Sequence, residues 1–178
     1  MTPIFLIGYM GSGKTTLGRA LAKEMKFDFI DLDIYIETRY CRSVRDIFAE
    51  RGEDGFREIE RNMLHEIADF ENVIVACGGG TPCHFDNMDV MLSHGTTVFL
   101  SVPIPRLVQR LCLPGSRMKR PLVADKTDSE MAEYISKALE ERLPYYSSAK
   151  ITFDGSKLET ASQIGESVAK LRELLPQE

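Results

Sequence analysis

Residues Gly8 to Thr15 read GYMGSGKT and satisfy the spacing G-x-x-x-x-G-K-[ST], a pattern built to hold phosphate. Glycines at 8, 11 and 13 let the backbone wrap an anion without side-chain obstruction. Lys14 reaches the outer phosphates of a nucleotide, and the Thr15 hydroxyl is a ligand for Mg²⁺. An apolar run precedes Gly8 and a helical pattern follows Lys14, so a helix N-terminus would direct its N–H groups at phosphate oxygens. The plainer alternative is a glycine-rich strand-to-helix turn with no ligand.

Two acids stand in FIDLD, Asp31 and Asp33, directly after a second apolar run. At i and i+2 they can serve different partners, Asp31 a hydrated metal and Asp33 a substrate hydroxyl; alternatively, either one caps the next helix. Motor ATPases and GTPases place an acid at the end of another core strand to hold the Mg²⁺ shell. Here the run from Val73 ends instead in Cys77 and the glycines Gly78, Gly79 and Gly80, which permit close approach of a ligand and equally suit a plain loop. A guanine-reading NKxD segment is absent from the sequence.

Two arginines sit on or beside apolar helix faces. Phe56, Ile59, Met63 and Ile67 form a stripe that includes Glu60, with Arg57 three residues before that acid. Met131, Ile135, Ala138 and Leu139 run in register toward Arg142. If both arginines face one cleft, they suit a planar carboxylate or a phosphate; otherwise Arg57 makes an ordinary surface ion pair and Arg142 complements a helix dipole. Val90 to Ala124 contains no acid but five basic residues, Arg106, Arg110, Arg117, Lys119 and Arg120. Beside a phosphate cradle such a strip suits an anion-closing lid, and without one it is a solvated loop.

These groups need a scaffold, and the apolar pattern supplies one. Strand-length runs at Pro3–Ile7, Phe27–Ile30, Val73–Ala76, Thr97–Leu100 and Lys150–Phe153 alternate with helical stretches, which predicts a parallel α/β sheet covered on both faces. A helix is expected over Thr16–Met25. Capping-box spacing at Thr127 with Glu130, and at Ser156 with Glu159, predicts two more helix starts, and Pro144 is expected to close the helix that begins near Asp128. Leu113 to Asp125, rich in proline and glycine, is the candidate mobile loop.

The 178 residues fit one domain, residues 1–178. With 22 basic and 27 acidic residues the formal charge is −5, which excludes binding nucleic acid through general electrostatics. No apolar run approaches the roughly 18 residues of a membrane span. MTPIFLIGYM lacks the basic start and small-residue cleavage site of a signal peptide, so a cytoplasmic location is expected. The four cysteines form no CxxC pair and read as structural thiols; the three histidines form no ligand or triad signature.

In order along the chain, GYMGSGKTT, FIDLD, RSVRDIFAERGEDGFREIE, CGGG, KRPL and ERLPYYSSA resemble the shikimate kinases, a family related to the nucleoside monophosphate kinases. The resemblance covers nearly the whole chain. It implies a three-layer P-loop kinase fold, with a five-stranded parallel sheet in order 2-3-1-4-5 flanked by helices. It also implies a substrate-binding region over about residues 32–68, a lid over about residues 113–125, and the P-loop at residues 8–15. The implied reaction moves the γ-phosphoryl group of ATP to the 3-hydroxyl of shikimate, in aromatic amino acid biosynthesis, with Mg²⁺ as cofactor and no obligate protein partner.

By the same resemblance, Gly11, Ser12, Gly13, Lys14, Thr15 and Thr16 hold phosphate together with Arg120, and Arg110 packs on adenine. Thr15 and Asp31 serve the metal; Lys14, Asp33 and Arg120 are catalytic. Asp33, Arg57, Gly78, Gly79, Gly80 and Arg142 bind shikimate, with Glu60 orienting Arg57 and Phe48 and Phe56 as an apolar wall. Two stretches depart from the family: LCLPGSRMK, before Arg120, is longer than the usual lid, and DGSKLET, after Phe153, lacks the proline that often lines the adenine pocket. Two competing readings keep the same scaffold: a kinase for another hydroxylated acid such as gluconate, and a binding protein that no longer transfers phosphate.

Overall fold

A computed structural model describes residues 1–113 and 127–176. Five parallel strands, β1 (Ile4–Ile7), β2 (Asp28–Asp31), β3 (Val73–Ala76), β4 (Thr96–Ser101) and β5 (Ile151–Asp154), pair in the order β2-β3-β1-β4-β5. Each expected strand is found within a residue of its predicted bounds. Alternate residues of β1 point to opposite layers, as strand geometry demands. Phe5 and Ile7 join Leu32, Ile36, Ile59 and Leu64 on one face, while Ile4 and Leu6 join Leu17, Leu21 and Leu171 on the other.

The helices are α1 (Lys14–Met25), α2 (Leu32–Tyr40), α3 (Val44–Ala68), α4 (Asn87–His94), α5 (Ile104–Leu111), α6 (Asp128–Tyr146) and α7 (Ala161–Leu174). Helix α1 begins two residues before the expected Thr16. Its N-cap is Gly13, held at φ 98° and ψ 14°, a left-handed conformation that glycine adopts without a Cβ penalty. Within α3, Gly52 at φ 70° and ψ −174° breaks the helix into two segments, and the second carries Arg57 and Glu60.

Register sets the site. Asp31 pairs with Ala76, and Ala76 with Leu6, so the carboxyl ends of β2, β3 and β1 finish in one row. The phosphate loop, the two acids and the triple glycine all leave the sheet from that row, where ligands of open α/β sheets bind.

Two expected helix ends are corrected. Thr127 and Glu130 do form a reciprocal capping box, but Ser156 and Glu159 do not: α7 starts later, with Thr160 as N-cap and Gln163 closing the box. The Glu159 carboxylate is taken by Arg106 and Arg110. Pro144 does not end α6, which runs on to Tyr146. In the last turn the missing N–H costs the helix one bond, and the Ser147 N–H still reaches the Leu143 carbonyl at 2.8 Å. Fully buried Tyr146, stacked on Phe99 with centroids 5.1 Å apart, anchors that extra turn.

Candidate active site

A cleft of about 720 Å³ opens above the strand ends, lined by Gly11, Gly13, Lys14, Thr15, Thr16, Asp31, Asp33, Gly78, Gly79 and Arg110 among others. Lys14 Nζ donates to the main-chain oxygens of Gly8 (2.8 Å) and Tyr9 (3.0 Å) and lies 3.5 Å from Ser12 Oγ. The N-cap of α1, Gly13, makes no side-chain cap hydrogen bond, and a helix N-terminus of this kind suits an anion. Ser12 is buried behind the loop rather than in the cleft wall.

Asp31 stands at the N-cap position of α2 yet makes no cap hydrogen bond; it accepts from the Thr15 hydroxyl at 3.0 Å instead. That contact decides against the capping role and for the pairing with the phosphate loop. The two side chains offer a hydroxyl and a carboxylate, hard oxygen donors of the kind Mg²⁺ takes while keeping several waters and substrate phosphates. Among the described residues no group of three or more His, Cys, Asp or Glu could hold a metal without such help.

Asp33, in the first turn of α2, is open to water in the cleft but walled by protein on most sides. That concave wall, then the nearby Asp31 and Glu60 carboxylates, push its carboxyl up to about 6 from 3.8, with Lys14 opposing. A Cβ on Gly78 would stand 3.5 Å from Asp33 Oδ1 and 3.2 Å from Glu60 Oε1, so the strand end passes close to both acids.

Arg57 and Arg142 border the triple glycine beyond the edge of that cleft. A Cβ on Gly80 would stand 2.8 Å from Arg57 Nη2, and one on Gly79 would stand 3.4 Å from Arg142 Nη1. The Arg57–Glu60 pair, at 2.8 Å, is not a surface pair: the two side chains are 14% and 1% exposed. Glu60 also accepts from Thr81 Oγ1 at 2.5 Å, and the Thr81 carbonyl accepts from Asn87 Nδ2 at 2.8 Å. Arg57 Nε is buried with no hydrogen-bond partner among the described residues, a donor left for a ligand. Phe48 and Phe56 stack at 4.4 Å, and the Arg57 guanidinium lies 5.3 Å from the Phe56 ring.

Arg142 is not in the last turn of α6, so the dipole does not explain it. Its guanidinium lies 5.5 Å from the Tyr9 ring centroid and hydrogen-bonds with Tyr146, whose hydroxyl donates to the Gly79 carbonyl at 2.5 Å. Burial, reinforced by Tyr134 and opposed by Arg142, pushes the Tyr9 phenol up to about 12.

Arg110 reaches the opposite wall. It donates to the carbonyls of Gly11 (3.2 Å), Ser12 (3.3 Å) and Gly155 (2.8 Å) and pairs with Glu159 at 2.7 Å. Leu158 and Glu159 line the cleft in the stretch that lacks the family's proline. Arg117, Lys119, Arg120 and all of the expected lid after Leu113 lie outside the described residues.

Sequence reasoning missed Thr81, Asn87, Tyr9 and Tyr146, and read Glu159 as a cap. Tyr146 had a signal, because it follows Arg142 by four residues and so shares its helix face. Thr81 and Asn87 had none: Thr81 meets Glu60, and Asn87 meets Thr81, only through the fold.

A family model described as shikimate kinase matches residues 10–172. A shikimate kinase of Phocaeicola vulgatus is 55% identical over 175 residues, covering 98% of this chain and 99% of that one. The crystal structure of a Bacteroides thetaiotaomicron shikimate kinase superposes with a TM-score of 0.89 at 49% identity, over 97% of each chain. An Acinetobacter baumannii shikimate kinase in complex with shikimate gives a TM-score of 0.82 at 28% identity, covering 98% of this chain and 93% of that one.

Proposed function

The chain belongs to the shikimate kinase family, and we propose that its cleft performs the family's reaction with the residues assembled above. ATP phosphorylates the 3-hydroxyl of shikimate: a bond forms from that oxygen to the γ-phosphorus, the bond to the β,γ-bridging oxygen breaks, and ADP leaves. The reading is carried by one observation: two arginines converge on the triple glycine that also borders Asp33, beside a lysine-bearing phosphate loop.

Each side chain then has a part. Arg57 and Arg142 bind the shikimate carboxylate, with Glu60 fixing Arg57, and Gly78, Gly79 and Gly80 leave room for the ring hydroxyls. Asp33, ionising near pH 6, orients the 3-hydroxyl and accepts its proton. Lys14 and the N–H groups of α1 hold the transferred phosphoryl oxygens, and Arg120 adds its charge from the lid. Arg110 and Leu158 flank the adenine. When bound, Mg²⁺ neutralises charge on the phosphate oxygens, and Thr15 and Asp31 would hold it. Residues of about 32–68 carry the acceptor site and about 113–125 the lid of a single domain, which acts in the cytoplasm as a monomer.

A coupled assay of ADP release over a panel of hydroxylated acids tests the acceptor. Shikimate supports release and gluconate does not; equal rates with both would assign the site to a broader class of acids.

A further inference from the structure

Tyr9 is the second residue of the phosphate loop and is 2% exposed. Its main-chain oxygen accepts from Lys14, while its ring lies under Arg142. One residue therefore touches both the lysine of the phosphate site and the arginine of the acceptor site. The Tyr9 hydroxyl is buried with no hydrogen-bond partner among the described residues, so what the side chain supplies is its ring face.

The two arginines are mounted differently. Arg57 is held by carboxylates, Glu60 at 2.8 Å and Glu53 at 3.4 Å. Arg142 makes no ion pair among the described residues, and its neighbours are the aromatic groups of Tyr9 and Tyr146 beside Gly79. A carboxylate mount competes with an acceptor carboxylate for the guanidinium; an aromatic face orients the cation and leaves its charge unneutralised.

We propose that Tyr9 is a positioning residue for the acceptor, its ring holding the Arg142 guanidinium toward the triple glycine with its charge free for a carboxylate. This rests on the reading of Arg142 as a shikimate clamp. The contact with Lys14 uses the Tyr9 carbonyl, which every side chain keeps, so the ring bears on shikimate and not on ATP. Tyr9 packs with Leu107, Leu111, Met131 and Ile135, so leucine retains an apolar neighbour there.

Steady-state kinetics of Y9F, Y9L, R142A and the double variant Y9L/R142A test the assignment. Loss of the ring in Y9L raises the shikimate KM about three- to thirtyfold, the range spanned by cation–π contacts from half-exposed to desolvated. The ATP KM stays within about twofold, Y9F behaves like the parent, and Y9L adds little once Arg142 is gone. An unchanged shikimate KM in Y9L, a parallel rise in both KM values, or a full Y9L effect on the R142A background would overturn it. If R142A alone leaves the shikimate KM unchanged, the clamp reading falls and takes this inference with it. If R142A raises that KM while Y9L does not, only this inference falls.

Discussion

Asp33 shows how one side chain carries both a chemical role and a cost. Its folded pKa of about 6 lies above the ordinary 3.8, so between those values the folded protein binds the proton more tightly than the unfolded chain. Stability therefore falls as pH rises through that window and stays reduced above it. Asp33→Asn accordingly melts higher than the parent at pH 8 in calorimetry, with the gap closing as pH approaches 3.8. The same substitution lowers kcat about 10²- to 10⁴-fold with little change in ATP affinity, and the parent's kcat/KM rises through about pH 6. A variant that loses turnover and stability together would point to a structural role. The identity of Asp33 was legible in FIDLD, whereas its raised pKa was not. It depends on Glu60, 27 positions away, and on a cleft wall that only the folded chain creates.

At the scale of elements, two glycines with open space around them separate backbone strain from packing. Neither Gly52 nor Gly165 would bring a Cβ within 4 Å of another group. Gly52 sits at φ 70° and ψ −174°, a region nearly reserved for glycine, so Gly52→Ala costs about 1–3 kcal/mol without any clash. It also re-aims the segment of α3 that carries Arg57, so the shikimate KM rises. Gly165 lies in the middle of α7, where Gly165→Ala stabilises by up to about 1 kcal/mol through helix propensity. Urea denaturation of the pair reads both signs. The strands were legible because buried parallel strands are continuous apolar runs closed by glycine or acid, as Ile4–Ile7 is by Gly8 and Val73–Ala76, after Cys77, is by Gly78. The order of the sheet came from resemblance alone, since apolar runs carry no pairing information. The misplaced start of α7 has a clear cause. Two consecutive S/T-x-x-E/Q patterns, Ser156 to Glu159 and Thr160 to Gln163, stand side by side, and the arginines of α5 decide between them by claiming Glu159.

For the whole molecule, the charge of −5 is divided unevenly, with five basic residues and no acid from Val90 to Ala124 and 17 basic against 27 acidic residues elsewhere. The two described arginines of that strip, Arg106 and Arg110, are drawn to Glu159 beside the phosphate loop, so basic charge gathers at the nucleotide end of the cleft. Among the described residues no helix is long and apolar enough to cross a membrane. The described groups assigned to the site come from one chain, so specific activity is expected to stay constant over about a thousandfold dilution of the enzyme; a fall on dilution would reveal a required second copy.

The most direct test follows the phosphorus itself, by ³¹P NMR of the enzyme with ATP, Mg²⁺ and shikimate. Shikimate 3-phosphate and ADP should form in equal amounts, with no inorganic phosphate released and no ADP produced when shikimate is left out. ADP accumulating without shikimate, or phosphate on an oxygen other than the 3-hydroxyl, would contradict the placement of Asp33 and the two arginines around the acceptor.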